Sequence, residues 1–233
     1  LLAYHAISGG FVLGEVVRRA TGCDIRTVLG REILEPLGFR WMNYGVADQD
    51  IERVAVNAFT GPPVPLTFSR LLRRALGAGV HEAVKLSNDP RFLRGIVPSA
   101  NIVSTAEELS AFYQCLLQGG ELNGVRVFDP RTVQHATSEQ SYREIDLTLG
   151  LPIRYGLGPM LGDDPVGLFG PRTGRAFGHI GFTNIWSWAD PERALAVALL
   201  TSGKPVLSLQ VIRLFQLIIE INRAFPRVAT PRG

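Results

Sequence analysis

The sequence predicts an α+β protein with its helices and strands segregated along the chain, and three observations carry that expectation. Apolar residues recur at helical spacing through the first half. From Ile153 onward the texture turns glycine-rich and β-prone, with short runs punctuated by turn residues. The run Val206 to Phe225 then closes the chain as a long apolar stretch interrupted by Gln210, Arg213, Gln216 and Glu220, which reads as a buried helix. Because helices precede strands instead of alternating with them, a doubly wound parallel sheet is disfavoured. At 233 residues, 46% hydrophobic and 19% charged, the chain can bury a full core, and disorder and fibre are excluded. The expected division is a mainly helical lobe over 1–150 and an antiparallel sheet with a C-terminal helix over 151–233, both parts of one domain.

Taken in order, "GGFVLGEVVRRATG" places Phe11, Val12, Val16, Val17 and Ala20 on one helix face and ends at Gly22. Asp24 can cap a second helix, Ile25 to about Glu35, which Pro36 and Gly38 stop. Residues 43 to 98 carry little periodic signal beyond a loop at "TGPPVPLT" and a helix over 69–76. In "STAEELSAFYQCLLQGG", Ser104 with Glu107 reads as a capping box, Leu109, Phe112, Leu116 and Leu117 form the stripe, and Gly119 ends the helix. Asn123-Gly124 signals a tight turn, and Asp129-Pro130 opens a short helix to about His135. "FTNIWSWADPERALAVALL" reads as two strands joined at Asp190-Pro191-Glu192, and Pro205 as the start of the last helix.

Composition also excludes functions. The basic residues are 22 Arg and two Lys scattered among 21 acids, so no nucleic-acid-binding stripe forms. Cys23 and Cys115 lie far apart, without His or Cys at ligand spacing, and read as buried thiols and not as a disulfide or a metal site. Neither metal nor organic cofactor is implied. No uncharged apolar run reaches the roughly 18 to 20 residues of a membrane span, and no signal-peptide pattern opens the chain, which leans the reading to the cytoplasm. The chain begins at Leu1 and enters structured sequence within three residues, so it is expected to be a piece of something longer.

Two residues stand out chemically. Tyr4 sits directly before a helix whose Gly9 and Gly10 allow close backbone approach, and His179 lies in "AFGHIGFTN", a charge-free, glycine-flanked stretch at the head of a predicted strand. Gly181 there would leave room for a ligand along the strand. Each alone is more simply a packed aromatic or a structural histidine.

Together, "AYHAISGGFVLGEVVRRATG", "EILEPLGF", "STAEELSAFYQCLLQGG" and "FGHIGFTNIWSWADPERALAVALLTSG" resemble, in order and spacing, the β-lactamase-like serine hydrolases: class C β-lactamases, D-alanyl-D-alanine peptidases and related esterases and lipases. The resemblance runs from Tyr4 to about Phe225. It implies a β-lactamase-like fold, an antiparallel sheet flanked by helices plus a helical lobe, truncated at its N-terminus, and an acyl-serine mechanism on a small ester or amide substrate. It implies that the family's Tyr-x-Asn falls on Tyr4-His5-Ala6, with Tyr4 as phenolate-like base or proton relay. The third motif, Lys-Thr-Gly in lactamases and often His-x-Gly in esterases, would fall on His179-Ile180-Gly181, with the Phe182 amide as one arm of an oxyanion hole. His5, beside Tyr4, is a further candidate for substrate contact.

Three departures matter. Ala6 replaces the lactamase Asn, and His179 replaces Lys; both favour esters over β-lactams. No Ser-x-x-Lys occurs, since Glu82 precedes Lys85 by three and Thr201 precedes Lys204 by three. The leading expectation is therefore the C-terminal part of a serine carboxylesterase or lipase, inactive alone. Alternatives are a relative of the β-lactamases or D-alanyl-D-alanine carboxypeptidases, and a catalytically dead binding module whose exposed sheet edge invites self-association.

Overall fold

The computed structural model of the chain describes residues 2–5, 7–65, 69, 73, 77–142 and 144–228. Two units emerge, one of Leu1–Glu108, Asp146–Leu151 and Ser202–Val206, the other of Leu109–Ile145, Pro152–Thr201 and Leu207–Gly233.

In the first unit, helix α1 spans Ser8–Thr21 and ends as expected at Gly22, whose φ of 75° suits only glycine well. Its expected inward stripe is not inward. Phe11, Val12 and Val16 are 50%, 65% and 56% exposed. Instead α1 seats through its glycines: a Cβ on Gly10 would lie 2.0 Å from Ser99 Oγ and 2.7 Å from Ser99 N, and one on Gly14 3.2 Å from Pro98 Cγ. A face without side chains admits a close approach that apolar periodicity cannot reveal.

Helix α2, Ile25–Leu29, is capped by Asp24, which accepts the Thr27 amide at 2.9 Å, and continues into a π-helical turn over Gly30–Leu34. Where the sequence offered little, the structure adds α3, Val80–Ser87, and α4, Pro90–Arg94, the latter capped by Asp89. The helix expected over 69–76 lies outside the described residues except for Ser69 and Arg73. Two short ladders tie distant segments, Asn43–Tyr44 antiparallel to Ile102–Val103 and Ala58–Phe59 parallel to Gly203–Lys204. Buried Asn101 satisfies a loop by accepting the Val97 amide at 2.9 Å and donating to the Phe92 and Gly95 carbonyls at 2.8 Å.

Helix α5, Ala106–Leu117, forms where expected, but its cap does not. Thr105 Oγ1, not Ser104, accepts the Glu108 amide at 3.2 Å. The Glu108 carboxylate takes the amides of Arg40, Trp41 and Met42 at 2.6 to 3.1 Å, so an acid in the first turn of α5 satisfies the donors of a distant turn.

The second unit is built on a four-stranded antiparallel sheet: β1, Met160–Leu161; β2, Phe177–Ile180; β3, Trp186–Asp190; β4, Leu195–Leu199, in the order β4-β3-β2-β1. Register sets Phe177 opposite Ala189 and Ala189 opposite Ala196. That face packs as a cluster of Tyr113, Leu161, Phe177 and Ala189 under Leu109, Leu116 and Leu117 of α5. On the other face Trp188, fully buried, stacks on Phe169 at 5.9 Å, and Trp186 meets Phe215 edge-on at 5.7 Å. The Asn123-Gly124 turn and helix α6, Pro130–Ala136, capped by Asp129, match the sequence reading.

The last helix, α7, spans Leu209–Ala224. Its cap is Ser208, which accepts the Gln210 amide, and not Pro205, which lies between the Gly203–Lys204 strand and the helix. It is also not buried all round: Leu214, Ile218 and Asn222 face inward, while Leu209 and Ile212 are 72% and 55% exposed. Cys115 is buried as expected, Cys23 only partly, and both thiols are free. No helix of the described residues is long and apolar enough to cross a membrane.

Candidate functional site

His179 does not open its strand; it is the third residue of β2, paired with Ser187 of β3. Alternation along β2 puts Phe177 and His179 on the α5 face and Gly178 on the Trp188 face. Gly178 is dictated by crowding, since a Cβ there would fall 2.1 Å from Ser187 O and 2.6 Å from Trp188 Cα. Ser187, on the His179 face, donates from Oγ to the Tyr113 hydroxyl at 3.2 Å, so a polar pair backs the sheet beside the imidazole.

The imidazole is oriented by its own backbone. His179 Nδ1 lies 2.6 Å from the Ile180 carbonyl, and because a carbonyl can only accept, Nδ1 carries the proton and Nε2 is the acceptor nitrogen. Burial pulls the His179 pKa below its ordinary 6.5, outweighing the opposing effect of the bond to Ile180. At neutral pH the side chain is an uncharged imidazole.

Beyond β2, Gly181 donates its amide to the Ile185 carbonyl at 2.9 Å, closing a hairpin whose tip, Thr183 and Asn184, takes left-handed φ values of 31° and 51°. A side chain at Gly181 would strike Ile185 at 2.9 Å, so packing within the hairpin already requires glycine there. Phe182 lies in the same tip, half-buried.

Tyr4 belongs to the other unit, in the segment leading into α1. It is half-buried; desolvation, and then the negative charge of Asp146, push its phenol above the ordinary tyrosine value. His5 is exposed, with Nδ1 3.2 Å from Ser8 Oγ in the first turn of α1. Ala6 lies outside the described residues. Asp146 is a residue that sequence reasoning passed over. Its only signal was an Asp opening "DLTLG", a pattern in which the carboxylate turns back to accept the next amides.

Elsewhere in the second unit a cavity of about 440 Å³ is lined by Glu139, Tyr142, Arg154, Asp163, Asp164 and Arg175, and His179 takes no part in it. Its charges are largely spent on each other: Arg154 holds Glu139 at 2.8 Å and donates to the Gly174 carbonyl at 3.1 Å. Among the described residues no group of three or more His, Cys, Asp or Glu could hold a metal ion.

A family model described as Beta-lactamase matches residues 2–215, nearly the whole chain. The chain belongs to the Beta-lactamase family. Among curated proteins, the esterase/beta-lactamase LipL of Mycobacterium tuberculosis is 29% identical over 210 residues, covering 84% of this chain and 47% of LipL. Among solved structures, a penicillin-binding protein homolog from Caulobacter crescentus is 28% identical with a TM-score of 0.69, covering 91% of this chain and 57% of that one. A family VIII carboxylesterase, at 24% identity and a TM-score of 0.75, covers 92% and 57% and shares the fold. The chain spans about half the length of the curated relatives it matches. The β-lactamase-like α+β fold expected from the sequence is thereby established.

Proposed function

We propose that the protein is a serine carboxylesterase acting on small, uncharged acyl esters through an acyl-serine intermediate, in which Tyr4 handles the proton of the nucleophile and leaving group. His179 Nε2 accepts a hydrogen bond from the hydroxyl of the departing alcohol once Tyr4 has protonated it, and the Phe182 amide stabilises the developing oxyanion. The observation that carries the ester reading is the neutral imidazole of His179. Where a lysine would offer a positive charge to the carboxylate of a β-lactam or a peptide end, this chain offers an uncharged nitrogen, tied by its partner Nδ1 to the Ile180 carbonyl. Ala6, in place of an amide side chain, points the same way. The esterase/beta-lactamase name of LipL supports the class without choosing within it.

These 233 residues contain no Ser-x-x-Lys, so the chain by itself is proposed to turn over neither substrate class. The test assays this chain, and the full reading frame that contains it, with a short-chain aryl ester and a chromogenic cephalosporin. Hydrolysis of the ester by the full reading frame alone is expected. Turnover of neither substrate by either protein would end the esterase reading, and turnover of the cephalosporin alone would replace it with a lactamase.

A further inference from the structure

The hairpin Ile145–Pro152 is small, and its apolar residues are exposed: Leu147 in the turn is 55% accessible, and Leu151 and Ile145 in its strands 54% and 62%. Yet the acid at its base, Asp146, is 0% exposed. The turn is wrapped around that acid. Asp146 Oδ1 accepts the amides of Thr148 at 2.8 Å and Leu149 at 2.9 Å, and its carbonyl accepts the Gly150 amide at 2.7 Å, with Gly150 at φ 70°. Such a turn forms equally well in water, so burying the carboxylate needs another reason.

That reason lies in what the hairpin is tied to. The Leu147 amide donates to the Leu2 carbonyl at 3.0 Å, anchoring the turn on the segment that carries Tyr4 two residues later. Burial raises the Tyr4 phenol most and the charge of Asp146 raises it further, whereas His5, next to Tyr4 in sequence, turns to Ser8.

We propose that Asp146 is the positioning residue of Tyr4: a buried anion, fixed by its own turn and docked on the N-terminal segment, that makes Tyr4 serve as a neutral proton relay and not as a phenolate base. This rests on the proposed function for the identity of Tyr4 as the proton-handling group. A neutral phenol can release its own proton only as it takes up another, so Tyr4 ends each transfer as it began. A phenolate beside a buried carboxylate would set two like charges in a poorly solvated place, the arrangement that disfavours ionisation most strongly.

The experiment reads ionisation, with no substrate present, so it stands or falls separately from ester hydrolysis. The chain is labelled with 3-fluorotyrosine, and the signal missing from Tyr4→Phe is followed by fluorine NMR against pH. In the native chain that signal should titrate above free fluorotyrosine. In Asp146→Asn, whose amide oxygen can keep the turn bonds to Thr148 and Leu149, its midpoint should fall by about one pH unit. An unchanged midpoint in a folded Asp146→Asn chain overturns the proposal. Should that variant fail to fold, a native-chain Tyr4 signal titrating with or below the free amino acid overturns it as well.

Discussion

Removing Arg193 should unfold the sheet unit before anything else in it gives way. The Asp190 carboxylate at the end of β3 is 0% exposed, and its Oδ2 lies 2.5 Å from Arg193 Nη1, itself 6% exposed in its side chain. Arg193 also donates to the Arg172 carbonyl at 2.9 Å and the Pro171 carbonyl at 3.3 Å, so one guanidinium satisfies an acid and a neighbouring loop. In Arg193→Ala, the donor left to the Asp190 carboxylate among the described residues is the Glu192 amide, at 2.9 Å. A buried ion pair that loses one partner costs about 3–5 kcal/mol, because the remaining charge has neither water nor a counterion. For a chain of this size each kcal/mol is worth roughly 2–4 °C, so the melting temperature should drop by about 6–20 °C. Circular dichroism melts of Arg193→Ala, Asp190→Asn and Arg193→Met/Asp190→Asn decide the matter. The double variant should recover much of the loss, since no lone charge remains. A fall of less than about 1 kcal/mol in Arg193→Ala would refute the reasoning, because a pair that weak behaves as a solvated one.

Gly178→Ala should cost more than about 2 kcal/mol in urea unfolding, since its Cβ would meet the backbone of Ser187 and Trp188 and not a movable side chain; a neutral effect would contradict the β2–β3 register. His179 contributes a pH dependence of definite sign. Its folded pKa lies below 6.5, so the unfolded chain binds the proton first, and stability is full above 6.5 and lost as pH falls toward the folded pKa. In His179→Asn that slope should vanish from urea midpoints collected across this window, and a slope that persists assigns it to another group. Lys204, 2% exposed, has its pKa lowered by burial from 10.5 to about 8, so the folded state gains stability as pH rises from about 8 toward 10.5. Lys204→Met should raise the melting temperature at pH 7 and flatten that rise; a lower melting temperature would show that the amine's contacts outweigh its desolvation.

Local rules of the sequence determined most of the secondary structure. Gly22, Asp24, Asn123-Gly124, Asp129-Pro130 and the Asp190-Pro191-Glu192 turn each act through their own backbone within a few residues, and each is realised. The ordered motifs around Tyr4 and His179 likewise made the family legible before any coordinates, since they depend on residue identity and spacing alone.

What failed, failed where a partner far along the chain intervened. The cap of α5 falls on Thr105 instead of Ser104 while Glu108 serves the amides at 40–42, α1 turns its glycines inward because Ser99 and Pro98 come close, and Leu209 and Ile212 of α7 stay exposed. Gly181 has a reason in Ile185 that spacing could not show. The chemistry of the candidate residues was decided last. His179 is neutral because burial in β2 outweighs the bond from its Nδ1 to Ile180, and the Tyr4 phenol is raised first by burial and then by the charge of Asp146, which lies more than 140 positions away in sequence. Desolvation and charge proximity are properties of three-dimensional neighbours, so only the tertiary structure could assign them.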